Sequence, residues 1–260
     1  MKIKSKRERD LRIGCVKYLN ARPLIHGWEG EVVLDHPSAL CAQLAQGDLD
    51  VALVSSFEFL RNPIYRIVDG VSIASDGSVY SVVVAYRGNF AEAREIALDP
   101  AAQTSGNLLR CLLRELKLNA QVTSVASTSD ESARLLIGDQ AIRFRQQHGR
   151  DFEFWDLGEQ WWKKVRGVPF VYALWLVRPE VENPQRIADR LRSLRDENLA
   201  NIENLIATEK EFDPDFCHRY YRQYLRFNFG EREKQGLRGF AELCQKHELL
   251  PKRNIVLDLV

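Results

Sequence analysis

The sequence lacks a long apolar run and an excess of charge of either sign. Its 260 residues include 37 Lys or Arg and 36 Asp or Glu, which leaves a formal net charge of +1. No window approaches the ~18 consecutive apolar residues that a membrane-spanning helix requires. A near-zero charge provides no general attraction for nucleic acid or for an anionic membrane surface. We therefore expect a soluble, cytoplasmic protein that binds neither nucleic acid nor membranes.

Motifs for metal binding and for disulfide pairing are also missing. The five cysteines are an odd number without CxxC spacing, and each lies among apolar neighbours. This pattern is typical of buried, reduced thiols. The five histidines are scattered singly, with no HExxH pair, so we expect no metal site. The first ten residues are basic and lack the apolar segment of a secretion signal, and we expect them to form a solvated extension.

Strand and helix patterns alternate through the first two thirds of the chain. Pro37 and Gly47 bracket a short amphipathic helix, and an apolar strand at residues 51–54 follows it. Further strands are predicted at residues 65–68, 71–74, 79–86, 95–98, 122–125, 135–139 and 169–177. Further helices are predicted at residues 57–61, 108–116, 129–135 and 156–167, and in three segments of the last third near 184–208, 214–224 and 237–244. The order predicts an α/β protein whose C-terminal part is helical.

Polar turns follow several of these strands and precede helices. Residues 12–24 contain the first such turn, in which Asn20 to Pro23 end a strand at its carboxyl end. Ligands of open α/β sheets bind at that end. A second turn carries Thr104 and Ser105 before a helix, where hydroxyls and free N–H groups would point at a carboxylate. Capping of the helix alone explains these two residues equally well.

Two long apolar strands, at residues 79–86 and 169–177, stand far apart in the chain. We interpret them as crossings between two α/β lobes that face each other across a ligand cleft. The expected first lobe comprises residues 1–86 and 176–260, and the expected second lobe comprises residues 87–175. Ser81 is the single small polar residue within the first of these strands, where a backbone hydrogen bond would satisfy it without a functional role.

Six segments in a fixed order resemble one enzyme family over nearly the whole chain. They are RIGCVKYLNARPL, PSALCAQLAQGDLDVALVSSFEFL, GVSIASDGSVYSV, LDPAAQTSGNLL, LLIGDQA and DLGEQWWKKVRGVPFVYALW. This set is similar to the chorismate dehydratase family of the futalosine pathway of menaquinone biosynthesis. The resemblance implies a two-lobed, type II periplasmic-binding-protein fold. It also implies a lyase that removes water from chorismate to give 3-[(1-carboxyvinyl)oxy]benzoate without metal or organic cofactor.

The resemblance also implies which residues form the site. Asn20 is expected to be the catalytic contact, at the departing hydroxyl or at the enolpyruvyl carboxylate of the substrate. The substrate-binding residues are expected to be Ser56, Ser81, Gln103, Thr104, Ser105, Gly138 and Asp139. A carboxylate would repel an anionic ligand, so for Asp139 we favour a role in orienting neighbouring donors over direct contact.

Three positions depart from the family pattern. Ala102 stands where the family commonly has serine, Ser55 stands where it has proline, and Lys17 replaces a small polar residue. These departures leave two alternatives open. One is a cytoplasmic binding or sensor protein for a small aromatic or cyclic carboxylate, and the other is the related dihydroxynaphthoate synthase activity. The sequence is compatible with a monomer or a homodimer.

Overall fold

The fold is built around two separate sheets of five strands each. The computed structural model describes residues 11–99, 101–123 and 133–260. The strands are β1 (Ile13–Val16), β2 (Val32–Asp35), β3 (Val51–Ser55), β4 (Arg66–Ser75), β5 (Val82–Tyr86), β6 (Glu95–Ala97), β7 (Gln121–Thr123), β8 (Ala133–Ile137), β9 (Glu153–Asp156) and β10 (Phe170–Val177). The first sheet has the order β2-β1-β3-β10-β4, and the second has the order β7-β6-β8-β5-β9.

Helices connect the strands and form most of the C-terminal part. They are α1 (Arg22–Ile25), α2 (Pro37–Gln46), α3 (Ser56–Arg61), α4 (Gln103–Glu115), α5 (Gly138–His148), α6 (Leu157–Val165), α7 (Pro184–Ala200), α8 (Ile202–Ala207), α9 (Pro214–Arg219) and α10 (Glu231–Lys246). Within the described ranges, no helix is long and apolar enough to cross a membrane. The structure therefore confirms the predicted α/β fold with a helical C-terminal part.

The predicted β-α-β unit at the start of the chain is confirmed. Pro37 occupies the first turn of α2, and Gly47 ends this helix in the left-handed conformation with φ of 84°. Strand β3 is buried along its whole length because it lies between β1 and β10. Strands β1 and β3 run parallel, whereas β10 runs antiparallel to β3.

Several predicted elements differ in the structure. The two short strands expected around Asp69 and Gly70 form one strand, β4, in which Gly70 adopts a φ of 80° without reversing the chain. The predicted helix at residues 129–135 is wrong where it can be compared, because residues 133–135 belong to β8. Residues 129–132 of this prediction lie outside the described residues. The strand expected to reach residue 139 ends at Ile137, and α5 begins at once.

The two long strands are not crossings between the sheets. Strand β5 pairs with β8 and β9 in the second sheet, and β10 pairs with β3 and β4 in the first. The chain instead passes between the sheets at residues 76–81 and 157–169. The lobe bounds predicted from sequence, 1–86 with 176–260 and 87–175, would place β5 with the first lobe and would divide β10. The pairing of these strands disagrees with both bounds.

The C-terminal tail completes the edge of the first sheet. Ile67 and Asp69 of β4 donate backbone hydrogen bonds to the carbonyls of Asp258 and Val260, at 2.7 and 2.8 Å. Val260 donates in return to the carbonyl of Ile67 at 2.9 Å. The tail therefore covers backbone groups that an edge strand would otherwise expose.

Candidate functional site

A cavity lies between the two sheets. Residues from β1, β3, β4 and β10 of the first sheet line it, together with residues from the start of α4 and from the ends of β5 and β8. Among the described residues, none that lines the cavity is Asp, Glu, Lys, Arg or His. The cavity walls therefore offer apolar contacts, hydroxyls, amides and backbone groups, but no formal charge.

The structure brings six of the eight predicted site residues to this cavity. They are Asn20, Ser81, Gln103, Thr104, Ser105 and Gly138. The departure positions Ser55 and Ala102 also line it. Ser56 and Asp139 do not. Ser56 is fully buried and donates to the Val171 carbonyl at 2.7 Å, while Asp139 borders a second, separate cavity together with Lys17.

Asn20 lies in a short 3-10 turn, Leu19–Ala21, that follows the end of β1. The backbone N–H of Leu19 donates to Asp139 Oδ1 at 2.8 Å, and the Tyr221 hydroxyl donates to the Leu19 carbonyl at 3.0 Å. The Oδ1 atom of Asn20 is buried and has no partner among the described residues. Buried polar atoms are almost always paired, so this acceptor at the cavity wall indicates a place for a ligand donor.

The first turn of α4 carries Gln103, Thr104 and Ser105. The helix therefore begins five residues earlier than the sequence pattern predicted, and the two hydroxyl residues are inside it rather than before it. The first N–H groups of a helix have no intrahelical acceptor and lie at its positive end, which suits an anion. Gln103 Oε1 is a second buried acceptor without a partner in the described part of the chain.

The Thr104 hydroxyl joins the two sheets. Its Oγ1 lies 2.5 Å from Ser55 Oγ and accepts a hydrogen bond from the Phe57 backbone N–H at 3.1 Å. Thr104 belongs to α4, which follows β6 of the second sheet, whereas Ser55 ends β3 of the first sheet and Phe57 lies in α3 directly after it. The side chain of Thr104 therefore holds the start of α4 against the end of β3.

Ser81 ends the connection from the first sheet to the second. Its Oγ accepts a hydrogen bond of 2.7 Å from the hydroxyl of Tyr220, a fully buried residue of the C-terminal part. Burial raises the pKa of Tyr220 well above its usual range, and its polar neighbours Ser81 and Asn20 oppose this shift. The tyrosine hydroxyl therefore remains protonated. The sequence gave no indication of the contact with Ser81.

Asp156 anchors the same connection from the second sheet. Its carboxylate accepts hydrogen bonds from the Ser78 hydroxyl at 2.7 Å and from the Tyr80 backbone N–H at 2.8 Å. Tyr80 has a φ of 67°, a left-handed conformation that is rare for a tyrosine. Asp156 also accepts from the Glu159 N–H and so caps α6. The conformation that presents Ser81 is thus fixed by a buried carboxylate that sequence analysis did not identify.

Tyr18 contributes to both cavities. Its ring packs against Gly138, where an added Cβ would lie 2.9 Å from the ring. Gly138 also has a φ of 58°, so both its conformation and its contact require glycine. Burial raises the pKa of the Tyr18 hydroxyl to about 12, with Asp99 and Asp139 adding to the shift.

Burial is also the main influence on Asp139. It raises the pKa of this carboxyl to about 6, although the hydrogen bond from Leu19 opposes the shift. The five cysteines are buried and free, as predicted. In the described ranges, no group of three or more His, Cys, Asp or Glu side chains could hold a metal ion.

The fold and the cleft place the chain among two-lobed proteins of the periplasmic-binding-protein type. A solved structure of a protein from Archaeoglobus fulgidus matches with a TM-score of 0.71 and 18% identity, covering 92% of this chain and 98% of that one. The periplasmic aliphatic sulphonate binding protein of Escherichia coli matches with a TM-score of 0.62 and 14% identity, covering 95% and 94%. At these identities the likeness concerns the fold alone.

The chain belongs to the menaquinone biosynthesis family, whose model matches residues 11–246. A chorismate dehydratase from Thermus thermophilus is 28% identical over 255 aligned residues, which cover 88% of this chain and 93% of that protein. The family that the six sequence segments resemble is therefore confirmed.

Proposed function

We propose that the protein is a chorismate dehydratase, which eliminates water from chorismate to give 3-[(1-carboxyvinyl)oxy]benzoate in the futalosine route to menaquinone. The observation that carries the proposal is the buried, unpaired Oδ1 atom of Asn20 in the wall of an uncharged cavity. Membership of the menaquinone family and the dehydratase from Thermus thermophilus support it. In the same proposal the enzyme acts in the cytoplasm, without metal or organic cofactor.

The reaction breaks two bonds on neighbouring ring carbons of chorismate. The C–H bond at the ether-bearing carbon gives up its proton, the adjacent C–O bond gives up its hydroxyl, and the two leave as water. The ring becomes aromatic, which makes the overall reaction strongly favourable. The protein therefore has to assist the ionisation of one C–H bond, and placement and electrostatics can supply most of that assistance.

Asn20 has the chemistry to hold the departing hydroxyl. Its free Oδ1 is an acceptor, and the ring hydroxyl is the hydrogen-bond donor that chorismate carries when both of its carboxylates are ionised. This contact would fix the ring so that the C–H and C–O bonds to be broken lie at a defined place in the cavity. Asn20 is thus proposed to touch the reacting part of the substrate.

The substrate itself is proposed to provide the base. Among the described residues, no Asp, Glu, His or Lys lines the cavity, so a general base from the protein would have to act from outside it. The enolpyruvyl carboxylate is attached next to the proton that must leave, and it can reach this proton when the ring is held. The same carboxylate can then return the proton to the departing hydroxyl.

Neutral groups are proposed to bind the two carboxylates. The first turn of α4, with the Ser105 hydroxyl, offers donors at a helix N-terminus, and Ser81 offers a further hydroxyl at the cavity. A site without Arg or Lys leaves the enolpyruvyl carboxylate available as a base, because no cation lowers its proton affinity. In this proposal Asp139 holds the turn that carries Asn20, through the hydrogen bond that it accepts from the Leu19 N–H.

Incubation of the purified protein with chorismate tests the proposal. We expect a product lighter than chorismate by the mass of one water molecule, formed at the same rate after treatment with a metal chelator. Chorismate that binds without any change in mass would contradict the enzyme and would indicate a binding protein. Loss of activity after chelation would contradict the cofactor-independent mechanism.

A further inference from the structure

A π-helical segment, Tyr220–Tyr224, follows α9. Its wide turn is closed by the Leu225 N–H, which donates to the Tyr220 carbonyl five residues earlier at 3.2 Å. π-Helical turns are rare and occur frequently at functional sites. In this one, the adjacent Tyr220 and Tyr221 donate hydrogen bonds to Ser81 and to the Leu19 carbonyl, which lie 139 and 202 positions earlier in the chain.

Tyr221 acts on the backbone immediately before Asn20. Its hydroxyl donates to the Leu19 carbonyl at 3.0 Å, while Asp139 accepts from the Leu19 N–H at 2.8 Å. Both backbone polar groups of Leu19 are therefore held by side chains from distant parts of the chain. Since Leu19 and Asn20 share one 3-10 turn, these two hydrogen bonds fix the backbone position from which the Asn20 side chain extends.

Tyr220 contacts the side chain of Ser81. It is fully buried, its ring stacks on Phe216 with centroids 5.5 Å apart, and it does not line the cavity. Its hydroxyl donates to Ser81 Oγ at 2.7 Å, so the proton of Ser81 is free to be donated elsewhere.

We propose that Tyr220 and Tyr221 are positioning residues that orient Asn20 and Ser81 for the substrate. Tyr221 fixes the turn that carries Asn20, and the Tyr220 hydroxyl fixes the direction of the Ser81 hydroxyl. Neither tyrosine touches the substrate. The catalytic consequence rests on the proposed dehydratase function, whereas the positioning itself is a property of the ligand-free protein.

Three single variants that each remove one hydroxyl test the proposal. Tyr220→Phe and Tyr221→Phe are compared with Tyr224→Phe, a control in the same π-helical segment. The Tyr224 ring packs on Tyr80, and its hydroxyl makes no hydrogen bond within the described residues. We expect Tyr220→Phe to lower kcat on the order of 10- to 100-fold with a smaller change in KM, because a misplaced contact costs rate. Tyr224→Phe should stay within about twofold of the parent. A Tyr220→Phe enzyme with kcat as high as that of the control would overturn the proposal.

A double variant separates positioning from a general loss of packing. If Tyr221 acts through Asn20, the variant with Tyr221→Phe and Asn20→Ala should be no slower than Asn20→Ala alone. If the fold-decreases in turnover of the two single variants multiply in the double variant, the hydroxyl acts independently of Asn20, which would contradict the proposal.

A measurement without substrate keeps the proposal separate from the proposed function. The side-chain amide signal of Asn20 in a ¹⁵N–¹H NMR spectrum is identified by its loss in Asn20→Ala. We expect this signal to shift in Tyr221→Phe and to keep its position in Tyr224→Phe. An unmoved signal in Tyr221→Phe overturns the proposal, even for a protein that converts chorismate. A shifted signal supports it, even for a protein that only binds a ligand.

Discussion

The Oγ1 atom of Thr104, at the start of α4, lies 2.5 Å from the Oγ atom of Ser55, at the end of β3. Both residues line the cavity, so their contact is a direct link between two parts of the chain that enclose it. Proline at the position of Ser55 would lack the hydroxyl that makes this link. Ser55 therefore changes how this chain holds α4, while the fold stays the same.

Thr104→Val should weaken chorismate binding and lower stability. Valine leaves the Ser55 hydroxyl and the Phe57 N–H without their shared partner, which costs about 1–3 kcal/mol when such groups are buried. Because α4 is then less firmly held, we expect the Kd for chorismate to rise about tenfold. Titration calorimetry and urea unfolding measure the two effects, and Thr104→Ser is the control that keeps the hydroxyl. Equal affinities of Thr104→Val and the parent would count against the α4 carboxylate site.

Asn20→Ala should abolish most turnover while chorismate still binds. We expect kcat to fall on the order of 100-fold or more and the Kd to change less than about tenfold, because the contact is made at the reacting part of the ring. Single-turnover product analysis measures the rate of turnover, and equilibrium binding measures the Kd for chorismate. Unchanged turnover would show that Asn20 has no part in the reaction.

Gly138→Ala should disturb Tyr18 at the cavity. The new Cβ would lie 2.9 Å from the Tyr18 ring and would also occupy a left-handed conformation. Gly88→Ala provides a matched control, since its φ is 72° with nothing within 4 Å. The left-handed backbone conformation should lower the stability of both variants by about 1–2 kcal/mol, and only Gly138→Ala should also lose activity. Equal activities of the two variants would contradict a role for the contact with Tyr18.

Asp139 should make stability decrease with rising pH in the acid range. Burial raises the pKa of its carboxyl from 3.8 to about 6, so the folded protein holds this proton more tightly than the unfolded chain. The contribution is fully present below pH 3.8 and is lost as the pH rises through about 6. Relative to Asp139→Asn, the parent should lose on the order of 2 kcal/mol over this range. Urea unfolding between pH 4 and 8 measures how the free energy of unfolding of the two proteins changes with pH. A difference between them that stays constant would show that the pKa of the carboxyl is not raised.

Glu115 should have the opposite dependence. Hydrogen bonds from Lys164, Lys246 and His247 lower its pKa to about 2 from 4.5, despite the opposing effect of burial. Its contribution is present above pH 4.5 and is lost as the pH falls toward 2. Glu115→Gln should therefore be less stable than the parent by about 1–3 kcal/mol at neutral pH, with a smaller difference near pH 3. Thermal unfolding of both proteins at the two pH values measures the difference in stability. A difference that grows as the pH falls would contradict the prediction.

The sequence predicted most accurately the elements whose ends are marked by residues typical of helix or strand boundaries. Helix α2 has proline in its first turn and a left-handed glycine after its last residue, and its bounds agree with the prediction. Strand β4 was divided wrongly because Asp69-Gly70 has the composition of a turn, yet Gly70 is accommodated within the strand. Helix α5 was missed because its start, Gly138-Asp139, has a similar composition.

The candidate site was predicted partly from turns between strands and helices, which pointed to Asn20, Thr104 and Ser105, and otherwise through the family resemblance. Six of the eight predicted residues reach the cavity. Tyr220 and Asp156 could not be found in this way, because their partners lie 139 and 76 to 78 positions away and no local pattern reports such pairings. Ser56 likewise lies outside the cavity lining because its hydroxyl is buried between the Val171 carbonyl and Thr104 Oγ1, contacts that only the folded chain creates.

The position of β10 between β3 and β4 determines when the first sheet can be completed. During synthesis, β3 and β4 emerge early, but the strand that separates them follows only after all five strands of the second sheet. Until then both early strands have unpaired edges, and contacts of such long sequence separation form slowly. The nascent chain thus passes through an incomplete state, and a truncation before Phe170 would leave these edges open to association with other chains.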